Sequence, residues 1–326
     1  MKTSEDSEKT LVWLITGARC GPPSTPDNLP LTTSELISHC SLLHPMLASS
    51  SGIGYELAQQ ALLRSEKVIA TSRAGGSFAN LEALKAQGAK ILELDVTSPL
   101  EILKEVAKEA VGIYGRIDVL VNNAGYICNG TIEETTPQET YDQFNTNLFG
   151  AINVARVFLP YMREKRTGTL VWISSLYGLV VDPYFGNYIG TKWAMRGISQ
   201  SIHGEISPLG LRSICVEFGH TRTAVLEPER RKHKGTAIPN YEDVVNRMEA
   251  STQAMNGKQP GDPVKVAQTI IDTIRGEGVA KGKAFPLDLL LGSESCLAVD
   301  ATKKNLELFE EWKDVTYGVD MSDHEL

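Results

Sequence analysis

Short apolar runs that end on small or polar residues recur along this chain, with enough residues between them for helices, and this alternation most restricts its fold. Residues 11–15 (LVWLI), 67–72 (KVIATS), 90–94, 119–122, 169–173, 211–218 (LRSICVEF) and 285–292 (FPLDLLLG) each read as a strand. Helical patterns occupy the segment beginning YELAQQALLRSE, residues 137–165, 241–255, 263–275 with Pro263 in the first turn, and about 296–312. Strands separated by helices call for an α/β chain: a doubly wound, mainly parallel seven-stranded sheet with helices on both faces. The 326 residues, 42% hydrophobic, show no compositional break, so residues 1–326 are expected to form a single domain.

The densest chemistry lies in GTLVWISSLYGLVVDPYFGNYIGTKW, residues 168–193. Ser175 ends an apolar strand, and strand ends are where α/β sheets present functional side chains. Tyr188 and Lys192 are four apart, one turn apart on one helix face, where an ammonium charge favours a phenolate. Together they make a tunable acid/base beside a hydroxyl that can polarise a carbonyl. Tyr161 and Lys165 share the spacing, but Leu148 stands thirteen residues before Tyr161, so that pair reads as an ordinary helix end.

With Ser175 thirteen residues before Tyr188 and a glycine-rich start, the chain resembles the short-chain dehydrogenase/reductase family from about residue 10 to 292. The resemblance implies a Rossmann-like fold, a nicotinamide cofactor and catalysis by Ser175, Tyr188 and Lys192. Asn147 in NTNLFG matches a fourth catalytic position, which in the family anchors a water linking the lysine to solvent. EFGHTRT, GDPVKVA and FPLDLLLGSES look most similar to the 17-beta-hydroxysteroid-dehydrogenase-like subgroup.

The family's phosphate loop, TGxxxGxG, is split here. Thr16-Gly17-Ala18 is followed by 31 residues, 19–49, before Ser50-Ser51-Gly52-Ile53-Gly54 opens a helix; deleting them restores TGASSGIG. Gly21 falls where the second glycine belongs, but Pro22 and Pro23 follow it, and proline lacks the N–H a phosphate cradle needs. Gly17, Ser51, Gly52, Ile53 and Gly54 are therefore the expected loop. The insert carries five of fifteen prolines and no lysine, and reads as an extruded loop. It is either a tolerated excursion or an intron read through in frame.

Arg73 stands where the family separates its two cofactors; a guanidinium beside Ser72 favours the extra phosphate of NADP(H) over NAD. By resemblance, Asp95 and Val96 lie at the adenine side, and Asn123, Ala124 and Gly125 of NNAG pass close to the cofactor. The Asn amides of that motif can also tie neighbouring strands. Tyr188 and Lys192 contact the cofactor as well, and Gly219, Thr221 and Thr223 lie near the nicotinamide. Phe218 departs from the usual proline, and His220 reads as a loop residue. Residues 224–260, including the basic run Arg230-Arg231-Lys232-His233-Lys234, correspond to a substrate lid.

A net charge of −8 and a pI near 5.4 argue against nucleic-acid or anionic-membrane partners and for a small molecule. No apolar run can span a bilayer, and MKTSEDSEKT is too polar for a signal peptide, so a cytoplasmic location is expected and the terminal DHEL is discounted. The five cysteines, at 20, 40, 128, 215 and 296, lack metal-type spacing and read as reduced thiols, with no metal. Leu176, Tyr177, Tyr184 and Phe185 suit a hydrophobic alcohol or ketone. The expected activity is NADP(H)-dependent carbonyl reduction by a homodimer or homotetramer. A non-catalytic scaffold, or an isoform whose insert abolishes nucleotide binding, is the alternative; an epimerase-type enzyme is a weaker rival because the chain lacks GxxGxxG.

Overall fold

The structure, a computed structural model, describes residues 10–17, 52–73, 78–227 and 236–319. Ser51, the whole insert with Cys20 and Cys40, the basic run and the DHEL terminus lie outside the described residues. The strands are β1 (Val12–Ile15), β2 (Lys67–Ser72), β3 (Lys90–Glu93), β4 (Val119–Asn122), β5 (Gly168–Ile173), β6 (Leu211–Phe218) and β7 (Asp288–Leu291). They form one seven-stranded sheet in the order β3-β2-β1-β4-β5-β6-β7, every pair parallel. The strand order turns back between β1 and β4, which opens a crevice at the strands' C-terminal edge.

The helices are α1 (Ile53–Leu63), α2 (Phe78–Ala86), α3 (Leu100–Tyr114), α4 (Pro137–Phe144), α5 (Gly150–Lys165), α6 (Gly186–Ile206), α7 (Glu242–Met255), α8 (Pro263–Arg275), α9 (Ser295–Glu311) and α10 (Lys313–Tyr317). Alternate strand residues feed two cores. Leu14, Leu120, Leu170 and Trp172 pack with α3, α5 and α6, while Trp13, Ile15, Val121 and Val171 pack with α1, α2 and α8. Both faces being covered, the central strands are apolar throughout, which made them legible as continuous runs.

Observed strand boundaries fall within a few residues of those expected. β1 starts at Val12 because the Leu11 N–H is taken by the Glu66 carboxylate. β7 is shorter than the apolar run 285–292, since Phe285 lies under the Arg212 guanidinium, 4.2 Å from its ring centre. The single helix expected over 137–165 is α4 and α5 joined through a π-helical turn, Asn145–Phe149, in which the Gly150 N–H reaches the Asn145 carbonyl. Gly150 permits this packing: a Cβ there would lie 2.9 Å from the Val96 carbonyl oxygen. Tyr161 and Lys165 end α5, as read.

Candidate active site

β5 delivers Ser175 to the C-terminal edge. Two residues past the strand its backbone is extended, and its Oγ accepts the Tyr177 N–H at 3.3 Å, capping a short 3-10 turn, Leu176–Gly178. The first two turns of α6 then bring Tyr188 and Lys192 to the same place. Burial pushes the Tyr188 phenol up to about 12, an effect partly offset by its hydrogen bond with Ser175. The phenol is thus held protonated, as a proton donor. Lys192 is buried; its Nζ donates to the Ile173 carbonyl at 2.7 Å and stands 5.5 Å from the Tyr188 ring centre. Burial pushes its ammonium down to about 8, with Cys215 acting in the opposite direction.

Asn147, fully buried in the π-helical turn, spends its amide on Tyr126: Oδ1 accepts the Tyr126 N–H and Nδ2 donates to the Tyr126 carbonyl, both at 3.0 Å. Nδ2 is also 3.4 Å from Thr191 Oγ1, beside Lys192. The side chain therefore ties the segment after β4 to the helix layer rather than facing solvent.

A cleft runs from this trio across β4 and β1 to β2. Gly17, Gly52, Ile53, Asn123 and Gly125 line the cavity that also holds Ser175, Tyr188 and Lys192; it encloses about 260 Å³. Gly17 and Gly125 also border its continuation, where Arg73, Asp95, Val96, Thr97 and Ala124 stand. Gly54 follows Ile53 in the buried first turn of α1. The floor is backbone: Gly17 has φ +55°, and a Cβ on it would come 2.8 Å from the Ala124 Cα, while one on Gly125 would lie 3.1 Å from Asn147 Oδ1. The N-cap of α1 is Gly52, which among the described residues contributes no side-chain cap, and a helix N-terminus of this kind suits an anion. Such a glycine floor at a helix N-terminus fits the pyrophosphate of a dinucleotide.

Of the NNAG amides, Asn123 does tie strands: Nδ2 donates to the Thr16 and Gly17 carbonyls, both at 2.9 Å. Asn122 does not, for its buried amide has no partner. Asp95 turns back on Thr97, accepting its N–H at 2.8 Å and its hydroxyl at 2.6 Å.

On the substrate side, Gly219, Thr221 and Thr223 line the cavity together with Val225, Leu226, Met248 and Met255. Leu176, Tyr177 and Phe185 are lining residues, whereas Tyr184 is in the core behind them. Tyr177 is the hub of the wall, 5.6 Å from the Phe185 ring and 6.2 and 6.3 Å from the Tyr188 and His220 rings. His220 is a loop residue, as read; it lines the same cavity, with Nδ1 2.9 Å from a Glu294 carboxylate oxygen.

Sequence reasoning missed Thr16 and Glu134. Thr16 Oγ1 accepts the Asn123 and Ala124 N–H groups at 3.0 and 3.1 Å, fixing the cleft floor. Glu134 Oε1 accepts from Thr236 Oγ1 and from the N–H groups of Ala237 and Ile238, holding residues 236–238. Only the position of Thr16 before Gly17 could have signalled its part; nothing local marks the glutamate. Among the described residues no cluster could hold a metal and no helix is long and apolar enough to cross a membrane.

Comparison with known proteins places these features in context. The family model for short chain dehydrogenases matches residues 46–234, beginning downstream of β1. An uncharacterized oxidoreductase of Bacillus subtilis, YusZ, is 32% identical over 257 residues, covering 75% of this chain and 90% of its own length. A 3-ketodihydrosphingosine reductase of Bacteroides thetaiotaomicron is 34% identical over 54% of this chain and 62% of its own. The crystal structure of a short-chain dehydrogenase from Streptomyces avermitilis superposes with a TM-score of 0.76 at 30% identity, covering 96% of this chain and all of that one.

Proposed function

The chain belongs to the short-chain dehydrogenase family of oxidoreductases, and on that premise we propose that it interconverts a hydrophobic alcohol and its ketone or aldehyde with NADP(H). The observation that carries this reading is the gathering of Ser175, Tyr188 and Lys192 at one strand edge, beside a cavity whose far wall is apolar.

When bound, the nicotinamide supplies or accepts the hydride. Gly17, Ser51, Gly52, Ile53 and Gly54 would hold the pyrophosphate; Asp95, Val96, Asn123, Ala124 and Gly125 the adenosine side and the floor; Gly219, Thr221 and Thr223 the nicotinamide end. Arg73, at the distal end of the cleft, would pair with a 2′-phosphate, which is why NADP(H) is preferred here. In carbonyl reduction Ser175 Oγ donates a hydrogen bond to the substrate oxygen, Tyr188 gives that oxygen its proton, and Lys192 steadies the phenolate left behind. Asn147 holds the Tyr126 backbone and the helix layer in register with Lys192. Burial of the phenol favours the protonated donor needed in this direction.

The substrate is a mainly apolar carbonyl compound because Val225, Leu226, Met248, Met255, Leu297 and Phe185 border the cavity. The 3-ketodihydrosphingosine in the name of the Bacteroides relative is a keto compound. The 17-beta-hydroxysteroid-dehydrogenase-like subgroup, a lid spanning residues 224–260, a homo-oligomer and a cytoplasmic location belong to the same reading.

The test is NADPH oxidation with a panel of apolar ketones and aldehydes. Tyr188→Phe is expected to lower kcat by about 10²- to 10⁴-fold, the usual share of a general acid, with NADPH affinity retained. Turnover by Tyr188→Phe equal to that of the native chain would sink the assignment.

A further inference from the structure

The last long helix overruns the rest of the molecule. α9 starts against the sheet: its N-cap, Glu294, pairs with His220, Leu297 lines the cavity and Ala298 is buried. With Ala301, half-buried, these residues form one stripe at helical spacings of three and four. The stripe then continues as Asn305, Leu308, Phe309 and Trp312, which line an open groove. Here it is uncovered among the described residues: Leu308 is 55%, Phe309 40% and Trp312 53% exposed. Val315 and Val319, also exposed, carry it on. Apolar residues scattered singly over a surface need no explanation, whereas a contiguous row on one helix face, aromatic at its centre, marks a contact surface.

The charges beside the row identify the partner. Lys304 and Glu311 stand seven residues, two turns, apart on one flank of the stripe. Among the described residues neither belongs to an ion pair. The pairs along this helix, Lys303 with Asp300 and Lys313 with Glu310, lie on its far side. A second copy of α9 laid antiparallel in the groove sets each Lys304 beside the partner's Glu311, and each Glu311 beside the partner's Lys304, with the two-fold axis near Leu308. Trp312, the bulkiest group of the row, then falls beside the partner's Ala301, one of the smallest. A parallel pair would instead turn Lys304 and Glu311 toward the opposite flank, Thr302, Phe309 and Thr316, which is uncharged. The row is thus self-complementary in one orientation, the requirement of an isologous two-fold contact.

We propose that α9 is a self-association surface, through which two copies of this chain pair antiparallel along the stripe from Asn305 to Val315. The proposal deepens the homo-oligomer of the reading above and rests on that part of it, not on the reacting groups.

The experiment is sedimentation equilibrium of the purified full chain at micromolar concentrations. The native chain is expected at twice 35.6 kDa or a higher even multiple. Leu308→Asp sets two carboxylates against each other at the axis and should weaken the association by about 100-fold or more. Lys304→Glu or Glu311→Lys places like charges opposite at both symmetric positions and should weaken it by about 10-fold. The two reversals combined should return it to within about 3-fold of native, because the coupling is between the two sites. All three side chains are exposed, and an unchanged melting temperature under dilution to monomer checks that the fold is kept. A dimer indifferent to Leu308→Asp, or a double reversal that restores nothing, overturns the proposal and leaves a homo-oligomer built on another surface. A native chain that stays monomeric overturns both, and its binding to phosphatidylcholine vesicles would assign the row to a lipid surface instead. Each of these outcomes is separate from NADPH oxidation, which tests the activity.

Discussion

Arg73 is where the proposed cofactor preference is tested at the residue scale. It follows β2 at the distal end of the cleft, where an acidic residue would instead receive ribose hydroxyls. Arg73→Asp should exchange a phosphate-binding charge for a phosphate-repelling one, lowering the ratio of NADPH to NADH efficiency by about 10²-fold or more, the loss of a charge-assisted contact plus added repulsion. Measured kcat/KM for both cofactors checks it; an unchanged ratio refutes the assignment. The two NNAG asparagines teach a related lesson. Adjacent and identical, they have different fates because successive residues at a strand end point to opposite faces: Asn123 finds the carbonyls of Thr16 and Gly17, whereas Asn122 enters the layer beneath with no partner.

Among elements, the segment proposed above as a substrate lid, residues 224–260, is the informative one. Its base is zipped by the bridge between Thr221 and Gly261, and residues 236–238 within it are held by Glu134; Tyr241 Oη adds a hydrogen bond to Glu133 at 2.7 Å. Val245 and Met248 then place α7 against Phe185, Ile189 and Tyr188 in a small third core. Glu134→Ala should free the stem while leaving the reacting trio in place, raising KM for an apolar substrate about 10-fold with kcat nearly unchanged, as expected when uniform binding is lost. Steady-state kinetics reads the split, and a fall in kcat with KM constant would remove the lid from this account. The π-helical turn belongs to the same scale. A single π-helical turn of five residues cannot be told from an α-helix by apolar spacing, so 137–165 read as one helix, although in that turn Asn147 meets the Tyr126 backbone.

The whole molecule is defined by how β1 is held. Four residues long and followed by the split motif, it nevertheless pairs with β2 and β4 at the centre of the sheet. Asp118 accepts the Val12 N–H at 2.8 Å and is held by Arg116, while Thr16 locks the other end. Gly17 and Gly52 consequently line one cavity. Closing the longer connection between them should cost about 2 kcal/mol relative to a contiguous loop, so a chain lacking residues 19–49 is expected to bind NADPH up to roughly 30-fold more tightly than the 326-residue chain. Fluorescence titration of both chains measures this. Equal affinities would mean that the insert leaves the phosphate loop as it would be without it.

The sequence by itself determined the strand and helix alternation, hence the parallel sheet, because burial on both faces writes strands as apolar runs. It also determined the trio, because Ser175 follows its strand by two residues and Tyr188 and Lys192 are one turn apart, relations set by local geometry alone. Tertiary structure decided what depends on contacts between distant segments. It brought Glu134 to residues 236–238, Glu294 to His220 and Glu217 under Gly178, pairings more than thirty residues apart that no local period records. It also set the proton affinities of Tyr188 and Lys192, since burial, the main cause of both shifts, exists only after the sheet and its helices have closed over them.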